Sequence, residues 1–175
     1  MAELDIMFRE TGGTVRFGET FVGSEAFKVL FREGMSMVED AAAYLDGPGR
    51  DESRLLARHA ALSYASESMR LTTRLMQIAS WLLVQRAVAE GEITPGEALQ
   101  EKTRVRLAAK DSGGADAAQI AELPLRLQEL VQASRRMHAR LQHLDRLIGD
   151  DRPTPEPAAS PAVSQQDRLR AAFGG

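Results

Sequence analysis

Residues 67–88 read ESMRLTTRLMQIASWLLVQRAV and form the centre of a long segment without helix breakers. From Ser53 to Glu90 there is no glycine or proline, which predicts one helix about 55 Å long. Apolar or small residues recur along it at alternating steps of four and three, the pattern of a coiled-coil seam. The predicted seam comprises Leu55, His59, Leu62, Ser66, Met69, Thr73, Met76, Ser80, Leu83 and Ala87. A second stripe, confined to the C-terminal half, comprises Leu71, Leu75, Ile78 and Leu82.

Two further helices flank this one. Ser24 is a good N-cap for a first helix, and the turn residues at 46–49, Asp-Gly-Pro-Gly, end that helix and reverse the chain. A third helix follows over 123–148, where apolar residues repeat every seven positions. Three amphipathic helices with matching seams predict an all-α fold, an antiparallel three-helix bundle over residues 24–148.

Three segments have a different composition. Residues 1–23 contain four glycines and predict an irregular N-terminal arm, whose apolar residues favour contact with the bundle. Residues 91–118 predict a mobile connector, although Thr94 and Glu97 form a capping-box pattern at the start of a weak helix. Residues 149–175 are proline-rich and predict a disordered tail.

The end of the tail has a separate pattern. Residues 165–173 could form two helical turns, with Leu169 and Phe173 on one side. Such a helix is too short to be stable alone in water. A short apolar motif on a proline-rich linker is typical of a docking peptide, so we expect Leu169 and Phe173 to bind a partner.

The composition is that of an ordinary globular chain. Of 175 residues, 27% are charged and 43% hydrophobic, which favours a single soluble domain without membrane insertion. The absence of cysteine excludes disulfides and cysteine-based zinc sites. No signal peptide pattern is present, so the expected location is the cytoplasm.

The charge distribution is asymmetric. Residues 1–52 carry five basic and eleven acidic side chains, whereas residues 53–149 carry fourteen basic and ten acidic ones. A DNA-associated helical transcriptional regulator is therefore the alternative function to weigh. Against it, the arginines are interspersed with glutamates and no aromatic residues alternate with them to stack on bases, so we expect no nucleic acid partner.

Catalytic and metal-binding patterns are missing. His138 and His143 are five residues apart, whereas two histidines on a helix need a spacing of three or four to bind one ion. No phosphate-binding glycine loop or nucleophile elbow is present. We therefore expect no enzyme, no cofactor and no metal, although an enzyme with polar groups converging inside the bundle stays open as a third hypothesis.

Trp81 falls between the two apolar stripes of the long helix. At 100° per residue it projects on the polar side, together with Arg70, Arg74, Gln77 and Gln85. One interpretation is that the N-terminal arm or the connector covers Trp81; another is an accident of the surface. The third is a partner-binding patch formed by all five residues, because tryptophan and arginine are enriched at interface hot spots. Unpaired apolar area on the long helix also favours a homodimer.

Four runs of the sequence carry a family likeness. They are TVRFGETFVGSEAFKVLFREGM (14–35), AAAYLDGPGR (41–50), YASESMRLTTRLMQIASWLLVQRAV (64–88) and LPLRLQELVQASRRMHARLQHLDRLI (123–148). Together they resemble the bacterial RcdA family, the regulators of CtrA degradation. The connector 91–118 has no close match to the family.

This resemblance implies a non-enzymatic adaptor in regulated proteolysis of the cell cycle, with a three-helix bundle and a flexible tail. The implied partners are a ClpXP protease, a CpdR-like receiver protein that primes it, a CtrA-like cargo and a PopA-like cyclic-di-GMP effector. The implied location is the cytoplasm, with recruitment to a cell pole.

Overall fold

The computed structural model describes residues 17–104 and 117–150, and every regular element in these two ranges is an α-helix. The predicted all-α class is confirmed. The helices are α1 (Phe17–Val22), α2 (Glu25–Asp46), α3 (Pro48–Arg54), α4 (Arg58–Ala89), α5 (Pro95–Arg104), α6 (Ala117–Ala121) and α7 (Leu125–Asp150).

The three long helices α2, α4 and α7 enclose one core of aliphatic and aromatic side chains. Its members, with residues from the shorter elements, are Val22, Phe27, Leu30, Ala41, Tyr44, Tyr64, Leu71, Leu75, Ile78, Trp81, Leu82, Leu123, Leu127, Leu130, Val131, Met137, Leu141 and Ile148.

Helix α2 runs antiparallel to α7. Arg140 on α7 contacts Glu33 on α2 at 3.2 Å, while Arg126, earlier on α7, contacts Asp40, later on α2, at 3.9 Å. The order of contacts is thus reversed between the two helices. These exposed ion pairs contribute little to stability, but they show the relative direction of the two helices.

Helices α4 and α7 run parallel to each other. The Arg74 guanidinium donates to Ser134 Oγ at 3.0 Å, and further along both helices Trp81 Nε1 donates to Asp145 Oδ1 at 2.9 Å. The antiparallel course predicted for the first two long helices is present, since Gly34 of α2 lies against Leu82 and the earlier Phe31 lies under Arg86. It does not extend to α4 against α7. The residues between α4 and α7 return the chain to the end of the bundle where α4 begins.

Local capping signals fix the start of α2. The Ser24 hydroxyl accepts a hydrogen bond from the Phe27 amide at 3.3 Å and donates to the Phe21 carbonyl at 2.6 Å. At the other end, the Gly47 amide donates to the Ala43 carbonyl at 3.1 Å. The sequence-predicted N-cap and stop of this helix are both present.

The long second helix is shorter than predicted. The helix expected from residue 53 is interrupted at Leu55–Ala57, so that α3 and α4 are separate elements. Tertiary contacts explain the break: Tyr44 donates to Glu52 at 2.6 Å, and Gly49 is buried against the Tyr44 ring. These contacts hold α3 against the end of α2, where it cannot continue straight into α4.

The described part of the N-terminal arm is helical. Where an irregular segment was expected, residues 17–22 form α1, with Val22 buried and Phe21 packed against the core. Gly18 lies against Ile148 near the end of α7, where an added Cβ would be 3.1 Å from the isoleucine side chain. Residues 1–16 lie outside the described residues.

The connector contains a packed helix. The Thr94 hydroxyl accepts from the Glu97 amide at 3.2 Å, and Glu97 Oε2 accepts from the Thr94 amide at 2.8 Å, which completes the predicted capping box. The Thr94 amide and hydroxyl both donate to the Glu97 carboxylate, and these two hydrogen bonds lower the pKa of Glu97. Ala98 is fully buried, so α5 rests on the bundle, whereas a mobile connector was expected. Residues 105–116 and the predicted disordered tail from 151 onward lie outside the described residues.

Candidate interaction surface

The exposed side of α4 carries large apolar side chains at seven-residue intervals. Leu62, Met69 and Met76 are 66%, 73% and 66% exposed. Leu55, just before the helix, is 87% exposed, and Leu83, near its end, is 49% exposed. We call these five residues the α4 apolar row.

No charge interrupts this side of the helix. Every exposed residue between Ala60 and Gln85 is uncharged, in a chain of which 27% is charged. Large apolar side chains exposed together on a charge-free side of a helix mark a candidate interaction site. The exposed residues in this range are Leu62, Ala65, Ser66, Met69, Thr72, Thr73, Met76 and Leu83.

The predicted seam of the long helix therefore points the wrong way. It faces solvent along most of its length, because the large residues of the α4 apolar row belong to it. The bundle instead contacts a side of α4 that mixes apolar, polar and charged residues. The buried residues of α4 are Ala60, Tyr64, Glu67, Leu71, Arg74, Leu75, Ile78, Trp81, Leu82 and Gln85.

Trp81 is a core residue. Its side chain is 1% exposed, and its indole N–H donates to Asp145 on α7. The expected patch of Arg70, Arg74, Gln77, Trp81 and Gln85 is thus wrong as a surface at three positions. Arg74, Trp81 and Gln85 are buried, and only Arg70 and Gln77 are half-buried. Trp81 is covered, but the interpretation named the N-terminal arm or the connector as the cover, whereas the hydrogen-bonding partner is Asp145 on α7.

A buried carboxylate organises the middle of the α4–α7 contact. Glu67 is fully buried, and its Oε1 lies 2.6 Å from an Arg70 guanidinium nitrogen. Its Oε2 lies 3.7 Å from Arg135 on α7. Arg74, a turn further along, donates to the buried Ser134. Burying such charges is unfavourable unless they are paired, so these contacts offset a desolvation cost and favour one register of the two helices.

A sequence signal for this arrangement existed. Glu67, Arg74 and Trp81 are seven residues apart, the same interval as the α4 apolar row. A tryptophan on that line argues for burial, since large aromatics are seldom exposed to water. The matching partners, Ser134 and Asp145, lie some sixty residues away and could not be paired with them from local pattern.

Other features of the described residues offer little for catalysis. An open groove of about 370 Å³ lies between α2 and α7, where Met37 and Leu130 are flanked by acidic and basic side chains. Among residues 17–104 and 117–150, no group of three histidine, aspartate or glutamate side chains could hold a metal ion. None of the helices described is both long and apolar enough to cross a membrane. Leu169 and Phe173, the expected tail contacts, lie outside the described residues.

The chain is similar to a protein family and to a solved structure. The family model described as "Protein of unknown function (DUF1465)" matches residues 18–173. The crystal structure of RcdA from Caulobacter crescentus CB15 is similar at 50% sequence identity with a TM-score of 0.59. The match covers 74% of this chain and 96% of that chain. No curated protein matches the chain.

The likeness confirms the resemblance carried by the four quoted runs. A sequence identity of 50% over 96% of the RcdA chain is too high for a chance similarity of helical patterns. The family model also spans almost all of this chain. The chain belongs to the RcdA family, and the family model described as DUF1465 also matches it.

Proposed function

We propose that this protein is a non-enzymatic adaptor in regulated proteolysis. It links a ClpXP protease, primed by a CpdR-like receiver protein, to cell-cycle regulators such as a CtrA-like cargo. A PopA-like cyclic-di-GMP effector assists, and the complex works in the cytoplasm with recruitment to a cell pole. Membership of the RcdA family supports this role.

The observation that carries the proposal is the α4 apolar row. A protein that acts by binding other proteins needs a contact area with large apolar side chains and few charges, and α4 presents one from Leu62 to Leu83. Several polar groups buried between α4 and α7 contact one another, as in Arg74 with Ser134 and Glu67 with Arg135. They therefore serve the fold, and the outer surface is left for function.

An adaptor needs no reactive groups of its own. Holding cargo near a protease raises the effective concentration of the cargo to the millimolar range, and this alone accelerates its degradation. The tail residues Leu169 and Phe173 remain our predicted contacts for one of the partners, with residues 151–164 as a tether.

A second copy of this chain is the occupant we propose for the α4 apolar row. Within α4 the row comprises Leu62, Met69, Met76 and Leu83, so in an antiparallel pairing Leu62 lies opposite Leu83 and Met69 opposite Met76. Seven-residue spacing over these three intervals is the repeat by which two helices pack along a seam. The homodimer would leave α2 and α7 free for the protease and the cargo.

A reconstituted degradation assay tests the adaptor role. Purified ClpXP, a CpdR-like receiver protein and a CtrA-like cargo are combined, and loss of cargo is followed with and without this protein. We expect substoichiometric amounts to accelerate degradation, and truncation after Asp150 to abolish delivery while the circular dichroism spectrum stays helical. Unchanged cargo lifetime, with no binding to the primed protease, would refute the proposal.

Self-association has its own test. Light scattering gives the mass of the intact protein, of Met69→Glu and of the matched control Val29→Glu, which also places a charge at a half-exposed apolar residue but on α2. We expect a dimer for the intact protein and the control, and a monomer for Met69→Glu. A Met69→Glu dimer would remove the α4 apolar row as the interface.

The DNA-associated regulator has less support. Several arginines of the positive middle segment are neutralised by carboxylates, as in the pairs of Arg86 with Glu90 at 2.8 Å and Arg140 with Glu33 at 3.2 Å. Paired guanidinium groups release fewer counterions from a phosphate backbone, so they contribute less to DNA affinity.

A further inference from the structure

Two methionines lie in the middle of the α4 apolar row. Met69 and Met76 are both exposed, whereas Met137 is buried in the core and Met35 and Met37 are half-buried on α2. Among the residues that the structure describes, Met69 and Met76 are therefore the two thioethers most open to a reagent dissolved in water. Exposure governs how fast an oxidisable side chain reacts, so these two positions should react first.

The proposed antiparallel pairing of two copies brings these methionines together. Met69 of one copy lies opposite Met76 of the other, and the two-fold symmetry repeats this pair, so four thioethers occupy the middle of the interface. At each end of the row Leu62 of one copy lies opposite Leu83 of the other. Leucine and methionine have similar volumes, so the middle of the row differs from its ends in chemistry and not in size.

We propose that Met69 and Met76 are a peroxide-sensitive modification site, and that their oxidation to methionine sulfoxide separates the two copies. This inference rests on the proposed homodimer and adds a mode of regulation to it. In the reaction, the sulfur lone pair attacks one oxygen of hydrogen peroxide, so that an S–O bond forms and the O–O bond breaks. After proton transfer the second oxygen leaves as water; the sulfur loses two electrons and the peroxide gains them.

The hydroxyls between the two methionines are committed to the helix backbone. Thr72 Oγ1 donates to the Ser68 carbonyl at 2.9 Å, and Thr73 Oγ1 donates to the Met69 carbonyl at 3.0 Å. A hydroxyl has a single proton, so neither can donate to a sulfoxide oxygen without giving up its bond to the helix. The exposed residues from Ala60 to Gln85 also include no lysine or arginine that could donate instead. A sulfoxide buried here is therefore unfavourable.

Oxidation should change association far more than folding. An unpaired polar group buried in an interface weakens binding by about tenfold, and the symmetric dimer would contain four sulfoxides. Because neighbouring groups do not act additively, we expect the dissociation constant to rise by at least about 100-fold. In the separated monomer the same groups face water, so the fold should keep its stability.

The dimer should protect its own methionines. The side chains of Met69 and Met76 are open to peroxide in the monomer and covered in the pair, so oxidation proceeds through the monomer. Oxidised copies pair poorly, and mass action then draws more of the dimer apart. The oxidation rate at Met69 and Met76 should therefore fall as the protein concentration rises, whereas the rate at Met35 and Met37 on α2 should not change.

Peptide mass spectrometry of the full chain measures where and how fast oxygen is added. The protein is treated with about 10 mM hydrogen peroxide at a high and at a low protein concentration, and each methionine is followed in time. In the dilute sample we expect Met69 and Met76 to oxidise at least about tenfold faster than Met137. Equal rates at these three positions, or rates at Met69 and Met76 that do not depend on protein concentration, would overturn the proposal.

Light scattering of the oxidised protein tests the separation of the copies. We expect a monomer after peroxide, and a dimer again after treatment with methionine sulfoxide reductases specific for each of the two sulfoxide epimers. The variant Met69→Leu with Met76→Leu removes the two sulfurs and keeps the apolar volume, so it should stay a dimer in peroxide. The matched control Met35→Leu with Met37→Leu retains both sulfurs of the row and should still dissociate.

The outcomes separate this inference from the homodimer itself. A dimer that persists when mass spectrometry shows Met69 and Met76 fully oxidised would refute the modification site and leave the homodimer standing. Dissociation of the variant Met69→Leu with Met76→Leu in peroxide would also refute the site, because another methionine would then be responsible. A monomer before any treatment would refute the homodimer, and this inference with it.

Discussion

The two sides of α4 use the same interval and reach opposite environments. Leu62, Met69 and Met76 repeat every seven residues and are exposed, whereas Glu67, Arg74 and Trp81 repeat every seven residues and are buried. The more apolar row is the one in solvent. The seven-residue interval alone therefore does not say which side of α4 is buried. The second apolar stripe predicts it better, because Leu71, Leu75, Ile78 and Leu82 are all buried.

The energetic roles of the two sides differ accordingly. Polar groups on the buried side lose their hydration, and hydrogen bonds such as that from Arg74 to Ser134 offset this loss. These contacts favour one register of α4 against α7. The exposed side gains nothing within the monomer, and its apolar area is released from water only when another chain covers it. Substitutions on one side should change folding, and those on the other should change association.

Replacing Trp81 should have the largest effect on stability. Trp81→Ala removes a side chain that is 1% exposed and leaves a cavity between α4 and α7. Substitutions of this type cost about 3–5 kcal/mol. Urea unfolding followed by far-ultraviolet circular dichroism measures the loss. A change below about 1 kcal/mol would return Trp81 to the surface patch expected from the sequence.

A conservative variant separates packing from hydrogen bonding at the same position. Trp81→Phe keeps most of the apolar volume and loses only the indole N–H that donates to Asp145. Its expected cost is about 1–2 kcal/mol, because a partly buried acceptor loses its donor. If Trp81→Phe is as harmful as Trp81→Ala, the hydrogen bond matters more than the packing.

Crowding at Gly49, where α3 packs against Tyr64 of α4, should give the second-largest loss of stability. A Cβ at this position would lie 2.6 Å from the Tyr64 hydroxyl oxygen and 2.8 Å from the Tyr44 carbonyl oxygen. Gly49→Ala therefore forces α3 away from α4 and should destabilise the protein by about 1–3 kcal/mol. Gly96→Ala on α5 is the matched control, since its Cβ would have no heavy atom closer than 3.9 Å. The control should gain up to about 1 kcal/mol from helix propensity. Equal effects of the two variants would mean that Gly49 is not a packing position.

The features that the sequence predicted well depend on local signals. The Ser24 cap needs only the Phe27 amide three residues later, and the capping box needs only Thr94 and Glu97. The spacing of apolar residues locates the three long helices for the same reason, because each pattern is formed by residues of a single helix. These features do not depend on where other helices lie.

The features that were wrong depend on distant residues. The burial of Arg74 and Trp81 depends on Ser134 and Asp145 on α7, and the parallel course of α7 is set by a connection whose length does not specify a direction. The break at Leu55–Ala57 is set by the packing of α3 under Tyr44. No glycine or proline marks it, so no local rule could have placed it.

Alkaline pH should weaken the hydrogen bond from Tyr44 to Glu52, which holds α3 against the end of α2. Burial, and then the hydrogen bond to Glu52, raise the pKa of Tyr44 well above its usual range. A folded-state pKa above the unfolded value of about 10 gives stability that is present below pH 10 and lost as the pH rises above it. We expect the difference in unfolding free energy between the wild type and Tyr44→Phe to be constant from about pH 7 to 9 and to shrink above pH 10. A difference that stays constant up to pH 11.5 or so would show that Tyr44 ionises alike in both states.

Changing the exposed row should affect folding least. Met69→Glu places a charge where the side chain is 73% exposed, so the monomer should keep its unfolding free energy within about 0.5 kcal/mol. The effect appears through mass action instead, because a dimer stabilises the folded state more as protein concentration rises. The melting temperature of the wild type should therefore increase with concentration, and that of Met69→Glu should not. The contrary result would be melting temperatures that do not depend on concentration for either protein, with unfolding free energies that differ by several kcal/mol. Met69 would then be part of the core, and the distinction between the two sides of α4 would fail.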